Sequence, residues 1–539
     1  MRRVALRAIR TARQLPALRS TRGSIFQPSN HGLSVRFSSG RAPFPKSTPS
    51  STLPLQSSVI PASMYWRRFS LAVVSGFVGY GAWYTYNGDG TLIKEANPFS
   101  SNFKGYRRFW QKGSRDVNTG SSDIKMRRNE ESYFIGRGKG VLRYDVVQIP
   151  SNDPIEDDHS EKIIETNEAI GAAPNSASDW MFWGVFDGHS GWTTSAKLRQ
   201  VLINYVAREL NSTYQASPNP STEAIETAMK TGFTRLDNEI VHESAQKVMK
   251  GNSKLVAAEL LAPALSGSCA LLSFYDTNTG SYVGKWAATA LSTDQTGSNQ
   301  DEEARMRKLH PGEDHVIRNG RVLGGLEPTR AFGDATYKWT RQVSERLKES
   351  FFGRTPSNLL KTPPYVTAEP VVTTTKIQPE RGDFVVMATD GLWEMLSNEE
   401  VVGLVGQWID KHSSDSNGNS ASSWTKMFTA SQKGLPVEAS KENGNSGQKA
   451  PIRQRQWGVK ESDRFVVEDK NVATHLVRNA LGGKDKDMVC ALLSLPAPYS
   501  RRYRDDLTVE VIFFGNGPKS GDIVVNKEAS ASANIKPKL

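Results

Sequence analysis

The sequence predicts an α+β protein of short buried strands and amphipathic helices, and three stretches carry that reading. "FWGVFDGHSGW", residues 182–192, is an apolar strand that stops at Asp187-Gly188-His189. A helix follows it, with Leu198, Val201, Leu202, Tyr205, Val206 and Leu210 on one face. "GDFVVMATDGLWEML" repeats the order strand, turn, helix, and Ser397 with Glu400 forms a capping box for the helix after it. "DDLTVEVIFF" is a terminal strand in which Leu507, Val509, Val511 and Phe513 alternate with their neighbours.

The 539 residues suffice for one large or two ordinary domains. Their formal charge of +12 is not spread evenly. No Asp or Glu precedes Asp89, and the twelve Arg and Lys before it account for the whole excess. The rest of the chain is balanced, which removes most of the case for nucleic-acid binding, since that needs a basic patch on the folded domain. "MRRVALRAIRTARQLPALRS" is Arg-rich, acid-free and apolar at helical spacing, the pattern of a mitochondrial presequence over residues 1–40. "VRFSSG" supplies a processing site at Arg36, and a plain basic tail is the alternative. The C-terminal "PKL" also resembles a weak peroxisomal address.

A Ser/Pro-rich linker, 41–64, leads to a hydrophobic segment predicted as one transmembrane helix over 65–88. Phe69 to Tyr86 carries no charge and would measure roughly 27 Å as a helix, just enough to cross a bilayer. Arg67 and Arg68 precede it, and Trp83, Tyr84 and Tyr86 close it like an interfacial aromatic belt. A buried core helix is the competing reading. The pair of arginines favours keeping that end in the matrix, with the folded part in the intermembrane space.

Globular patterning begins at about Tyr133 with "GVLRYDVVQI" as a first strand, and helices are expected over 193–210 and 222–247. Residues 411–450, rich in Ser, Asn, Gly and Lys, read as a disordered insertion, and 517–539 as a disordered tail. Cys269 and Cys490 sit in apolar strings far apart and form neither a disulfide framework nor a metal knuckle.

The chemistry lies in acids at strand ends. Asp187 and Asp390 each end an apolar run, Asp505 begins one, and Glu156 and Asp157 follow the first strand. An ionised Asp at the mouth of an apolar strand is costly unless it is paired. In an antiparallel sheet the end of one strand neighbours the start of the next, so these acids can converge on one rim. There, carboxylate oxygens suit hard Mg²⁺ or Mn²⁺. Each acid alone is more simply a turn residue, and His189 alone a structural one. The set together favours a metal site.

"VFDGHSGW", "RVLGGLEPTRAFGD", "VVMATDGLWEML" and "RDDLTVEVIFF", in this order, resemble the metal-dependent Ser/Thr protein phosphatases of type 2C. The likeness covers about residues 130–516 and is nearest to a mitochondrial branch that includes pyruvate dehydrogenase phosphatase. It implies an antiparallel β-sandwich of two sheets flanked by helices, a four-layer α-β-β-α arrangement. It also implies a phosphatase domain over 125–516 and two ions of Mg²⁺ or Mn²⁺. By position, Asp187 would bridge both ions, and Glu156 with the carbonyl of Gly188 would complete one of them. Asp390 and Asp505 would hold the other, and Asp157 would orient a water. A bridging hydroxide would attack phosphorus while His189, as general acid, protonates the leaving oxygen. The substrate implied is a phosphoserine or phosphothreonine protein, with the E1 component of pyruvate dehydrogenase as one candidate.

Two departures stand out. The family's phosphate-binding Arg is Asn152 here, and the strand carrying Gly-Asp-Ser-Arg, expected between Ser268 and Asp294, is missing. The usual partner of that Asp is Glu394. A lost internal strand predicts either that "FYDTNTGSYVGKW" rebuilds part of it or that the sequence is shortened. Two other functions follow from these features. One is a catalytically weak phosphoprotein-binding relative. The other is a serine hydrolase built on "GHSGW", which lacks the final Gly of a nucleophile elbow.

Overall fold

The computed structural model describes residues 4–11, 118–138, 140–165, 179–217, 219–251, 253–276, 285–414, 437–438, 464–515, 517 and 519–532. The predicted transmembrane segment 65–88 and linker 41–64 lie outside these residues. Among the described residues no helix is long and apolar enough to cross a membrane.

The strands in chain order are β1 (Val4–Thr11), β2 (Glu131–Arg137), β3 (Val141–Ile149), β4 (Asp158–Glu165), β5 (Asp179–His189), β6 (Gly267–Asp276) and β7 (Lys285–Ala290). After them come β8 (Ile317–Arg318), β9 (Arg321–Val322), β10 (Phe332–Gly333), β11 (Phe384–Ala388), β12 (Val437–Glu438), β13 (Leu507–Phe514) and β14 (Lys519–Val525). The helices that position the site or its core are α1 (Thr193–Ala216), α2 (Thr222–Asn238), α3 (Asp390–Trp393), α4 (Asn398–Ser414), α5 (Val472–Leu481) and α6 (Lys486–Ser494).

One sheet has the order β12-β7-β1-β11-β13-β3-β2-β14, a second β10-β6-β5-β4, and β8 and β9 form a small separate pair, with antiparallel pairing except between β12 and β7. Side-chain alternation makes the layers. On β13, Leu507, Val509, Val511 and Phe513 pack with α4, α5 and α6 residues such as Val405, Leu476 and Leu492. Their neighbours Ile512 and Phe514 pack against Met181, Trp183 and Val185 of the second sheet. The outer face of that sheet, Phe182 and Phe186, is covered by Leu198, Leu202, Val206 and Leu210 of α1. Helix, sheet, sheet and helix therefore follow one another, the four layers that the sequence predicts.

Local signals match the elements. Ser397 and Glu400 exchange the two hydrogen bonds of a capping box, Glu400 N–H to Ser397 Oγ and Ser397 N–H to the Glu400 carboxylate, at 3.2 and 2.9 Å. The helix predicted over 222–247 runs as α2, one π turn (Glu239–Glu243) and a further helix (Ser244–Gly251). Cys269 is buried and Cys490 half-buried, both unpaired.

Three segments differ from expectation. Lys519–Val525, placed in the disordered tail, is edge strand β14 paired to β2. Four residues of the predicted insertion, 411–414, continue α4, and Val437–Glu438 pairs with β7. Most consequentially, Val4–Thr11, read as presequence, is a strand lying antiparallel between β7 and β11. Of "FYDTNTGSYVGKW", Phe274–Asp276 end β6 and Lys285–Trp286 begin β7, while 277–284 lie outside the described residues. β6 ends at Asp276 and β7 begins at Lys285, and the N-terminal segment supplies the ladder between β7 and β11.

A strand internal to a sheet satisfies backbone groups on both neighbours, and a buried group left unpaired costs about 1–3 kcal/mol. Deleting residues 1–14 should therefore lower the melting temperature by several degrees and speed amide exchange at 285–290 and 384–388. Unchanged melting and exchange would show that β1 carries none of this load.

Candidate active site

The acids meet at one end of the sandwich. Asp187 ends β5, Asp390 opens α3 after β11, Asp505 precedes β13, and Glu156 and Asp157 lie in the connection from β3 to β4. Asp157, Asp187 and Asp390 are buried to within 5 %. Burial pushes the Asp157 carboxyl well above its ordinary range, and Asp187 and Asp506 add to it. Burial likewise raises Asp390, with Asp187 and Asp505 adding to it. Asp505 is pushed up to about 7, mainly by burial, against the opposing pull of Arg501. Asp157, Asp390 and Asp505 are raised because they share a dry space with neighbouring carboxylates.

The backbone is shaped to bring them together. A Cβ on Gly188 would stand 2.1 Å from the Glu156 carbonyl oxygen, and one on Gly391 would stand 2.1 Å from that of Asp506. Only glycine allows these strand ends to approach so closely. Asp506, which the sequence reading left without a role, clamps the loop. Its Oδ1 accepts from Ser151 Oγ at 2.8 Å and from Asn152 N–H at 3.2 Å, and its Oδ2 from Glu156 N–H at 2.9 Å. Glu156 Oε1 accepts from Gly191 N–H at 2.8 Å, tying the loop to the turn after β5. Asp157 accepts from Thr508 Oγ1 at 2.9 Å. Asn152 is placed by its backbone beside the rim, half-buried.

Arg501 was also unassigned from sequence. Its guanidinium pairs with Asp505 and stands 3.6 Å from Glu156, a positive group set among the acids. Glu394, following α3, adds its charge to the potential at Asp390.

His189 is held by a partner 145 residues away: its Nε2 lies 2.7 Å from Asp334 Oδ2, both side chains buried. Gly267 makes this contact possible. It pairs with His189 across β5–β6 and with Gly333 across β6–β10. A Cβ there would sit 2.2 Å from the His189 Nε2 and 2.4 Å from the Asp334 Oδ2. The Asp334 turn has φ +49° and is braced by buried Asp237, which accepts from Gly333 N–H at 3.0 Å and pairs with Lys338 at 2.7 Å. The other ring nitrogen of His189, Nδ1, is buried without a hydrogen-bond partner. The residues "RAFGD" were visible as a motif, but nothing in their spacing linked Asp334 to His189.

The family model described as Protein phosphatase 2C matches residues 152–423, which span the acid rim from Asn152 to Asp390. The chain is 42% identical over 461 residues to the mitochondrial pyruvate dehydrogenase (acetyl-transferring) phosphatase 1 of Saccharomyces cerevisiae, covering 78% of each chain. The chain belongs to the protein phosphatase 2C family. A protein phosphatase 2C homolog of Schizosaccharomyces pombe is 42% identical over 397 residues, covering 70% of this chain and 81% of that one. The bovine mitochondrial pyruvate dehydrogenase phosphatase 1 is 29% identical over 477 residues, covering 72% and 82%. Membership makes the protein a serine/threonine phosphatase and sets aside the serine hydrolase reading; the weak phosphoprotein-binding relative is not favoured.

In this phosphatase the His189–Asp334 contact depends on an absent side chain. Gly267→Ala should displace the ring and lower kcat at least tenfold with little change in KM, while a Cβ at the open Gly251 should change neither. A Gly267→Ala enzyme with normal kcat would show that the contact is not needed for turnover.

Proposed function

We propose that this chain hydrolyses phosphoserine and phosphothreonine in mitochondrial proteins, using Mg²⁺ or Mn²⁺ held at the acid rim. The observation that carries the reading is the convergence of Asp187, Asp390, Asp505 and Glu156 beside the His189–Asp334 pair. The donor set fits the ions: it is all oxygen, suited to hard cations, and burial with neighbouring carboxylates raises Asp390 and Asp505, so countercharge is favoured there. Asp187 would be shared by two ions, Glu156 and the Gly188 carbonyl would complete one, and Asp390 and Asp505 the other. Such a pair supplies charge neutralisation for a phosphate and an acidified water as nucleophile.

The chain's own groups do the rest. Asp157, fixed by Thr508, orients the attacking water. Asp334 holds the His189 ring by Nε2, leaving Nδ1 to give its proton to the departing seryl or threonyl oxygen. Asn152 cannot supply the charge of the family's phosphate-binding Arg. Arg501 brings a guanidinium to the same rim and is suited to take the phosphate oxygens when it exchanges its carboxylate partners for them.

The full chain should release phosphate from a phosphoserine peptide only with added Mn²⁺ or Mg²⁺, and Asp187→Asn should reduce the rate by at least a thousandfold. Release that survives EDTA would overturn the metal-dependent mechanism.

The Saccharomyces cerevisiae and bovine relatives are mitochondrial pyruvate dehydrogenase phosphatases, which supports the same organelle and that complex as a substrate here. The acid-free N-terminus and the uncharged segment Phe69–Tyr86 support import and anchoring to the inner membrane by one helix. Carbonate extraction of mitochondria should leave the protein in the pellet, and protease treatment of mitoplasts decides the side: a digested C-terminal tag would place the domain in the intermembrane space, as Arg67 and Arg68 favour, and would exclude pyruvate dehydrogenase as the substrate. A tag that survives would place the domain in the matrix, where pyruvate dehydrogenase resides, and would reverse the orientation drawn from Arg67 and Arg68.

A further inference from the structure

One polar group sits in the wrong place for an apolar sandwich. Glu510 lies on β13 between Thr508 and Ile512, on the face turned to the second sheet, and pairs through its backbone with Met387 and Val146. It is fully buried, and its carboxyl shares a side-chain hydrogen bond with that of Glu161. Two carboxyl groups set against each other in a core are costly to bury unless a proton or a cation lies between them. The catalytic proposal gives it nothing to do.

Glu510 faces a second pair. His159 and Glu161 are two residues apart on β4, an edge strand, and so share one face. Their backbone partners Val185 and Trp183 belong to the core between the sheets, which fixes that face as the inner one. The His159 Nδ1 lies 2.6 Å from a Glu161 oxygen and 3.8 Å from Glu510 Oε1. One ligand atom from each of the three residues lies within 4.8 Å of the others. His159 and Glu161 are about one-fifth exposed, at 19% and 20%, so the group opens to solvent on their side and closes on Glu510. Burial and the nearby Glu161 push the Glu510 carboxyl far up, so without a cation it holds a proton.

We propose that His159, Glu161 and Glu510 form a separate binding site for a divalent transition-metal ion of the zinc class. A tetrahedral ion with bonds of about 2.0–2.2 Å needs ligand atoms about 3.3 Å apart, and the observed 2.6 and 3.8 Å bracket that spacing. One imidazole nitrogen and two carboxylates favour zinc over magnesium, whereas the catalytic rim is all oxygen. The two carboxylates balance the ion's charge, binding releases the Glu510 proton, and the open side leaves a fourth position for water. The site lies two residues along both β4 and β13 from Asp157 and Thr508, roughly 6–7 Å from the rim. An ion there would pin β4 to β13 behind the loop that carries Glu156 and Asp157.

The test uses the full chain carrying Asp187→Asn, which disables the catalytic rim but leaves this group intact. Equilibrium dialysis should find one zinc per chain at micromolar free zinc, and Co²⁺ should develop the intense visible absorption of tetrahedral coordination. Adding Glu510→Gln should weaken this zinc by at least tenfold and abolish the cobalt band. Glu510→Val, which gives the core an apolar side chain, guards against misfolding: it should melt no lower than the parent in chelator and gain no stability from zinc. It should also keep Mg²⁺-dependent phosphatase activity when Asp187 is restored. No zinc in the Asp187→Asn chain, or equal zinc after either Glu510 change, would overturn the proposal. Those outcomes leave the catalytic reading untouched, because that reading is judged by Mg²⁺-dependent turnover.

Discussion

Repulsion among buried carboxylates is the constraint around which this end of the molecule is organised. Two like charges about 4 Å apart at an effective dielectric near 20 repel by about 4 kcal/mol, comparable with the entire stability of a modest domain. Here Asp157, Asp187, Asp390 and Asp505 share one dry rim. The fold meets the cost in several ways. Arg501 supplies a charge, Thr508 a hydroxyl to Asp157, and Asp506 spends its own carboxylate on three backbone N–H groups and a serine. What is left over is an appetite for cations, and any cation held at the rim would be coupled to the stability of the site.

The same strands serve the rim and the core. Along β13, Thr508 reaches the rim, Glu510 lies behind it, and Ile512 is in the core. Along β4 the order is parallel, with Asp157 just before the strand, then His159 and Glu161. Period-two alternation projects all of these toward the second sheet, so a polar seam runs inward from the active site. A buried seam of this kind fixes register strongly, because a one-residue slip would turn Glu510 outward and Val509 or Val511 inward.

The strand-end acids were legible because their chemistry is local: an apolar run, an Asp and a Gly announce both a turn and an unusual charge. Asp334 was not, because its meaning depends on Gly267 bringing two distant segments together, and no spacing encodes a pairing across 145 residues. Lys519–Val525 was missed for another reason. An edge strand half exposed to water needs little hydrophobicity, so "KSGDIVV" looks like a tail until β2 is there to receive it. The N-terminal strand was obscured by ambiguity of period. "VALRAIRT" satisfies helical spacing as well as extended pairing, and its arginines argued for an address.

That ambiguity bears on how the chain is used. Cleavage after Arg36 would remove Val4–Thr11, so the segment cannot serve both as a discarded presequence and as the strand between β7 and β11. β11 runs straight into Asp390, and its other neighbour, β13, begins beside Asp505. Loss of β1 would free one side of β11 and leave its other ladder intact. The acid rim would keep all its residues but lose rigidity on the side that carries Asp390. Strand occupancy at β1 and ion binding at the rim therefore favour the same ordered state. By linkage, each strengthens the other.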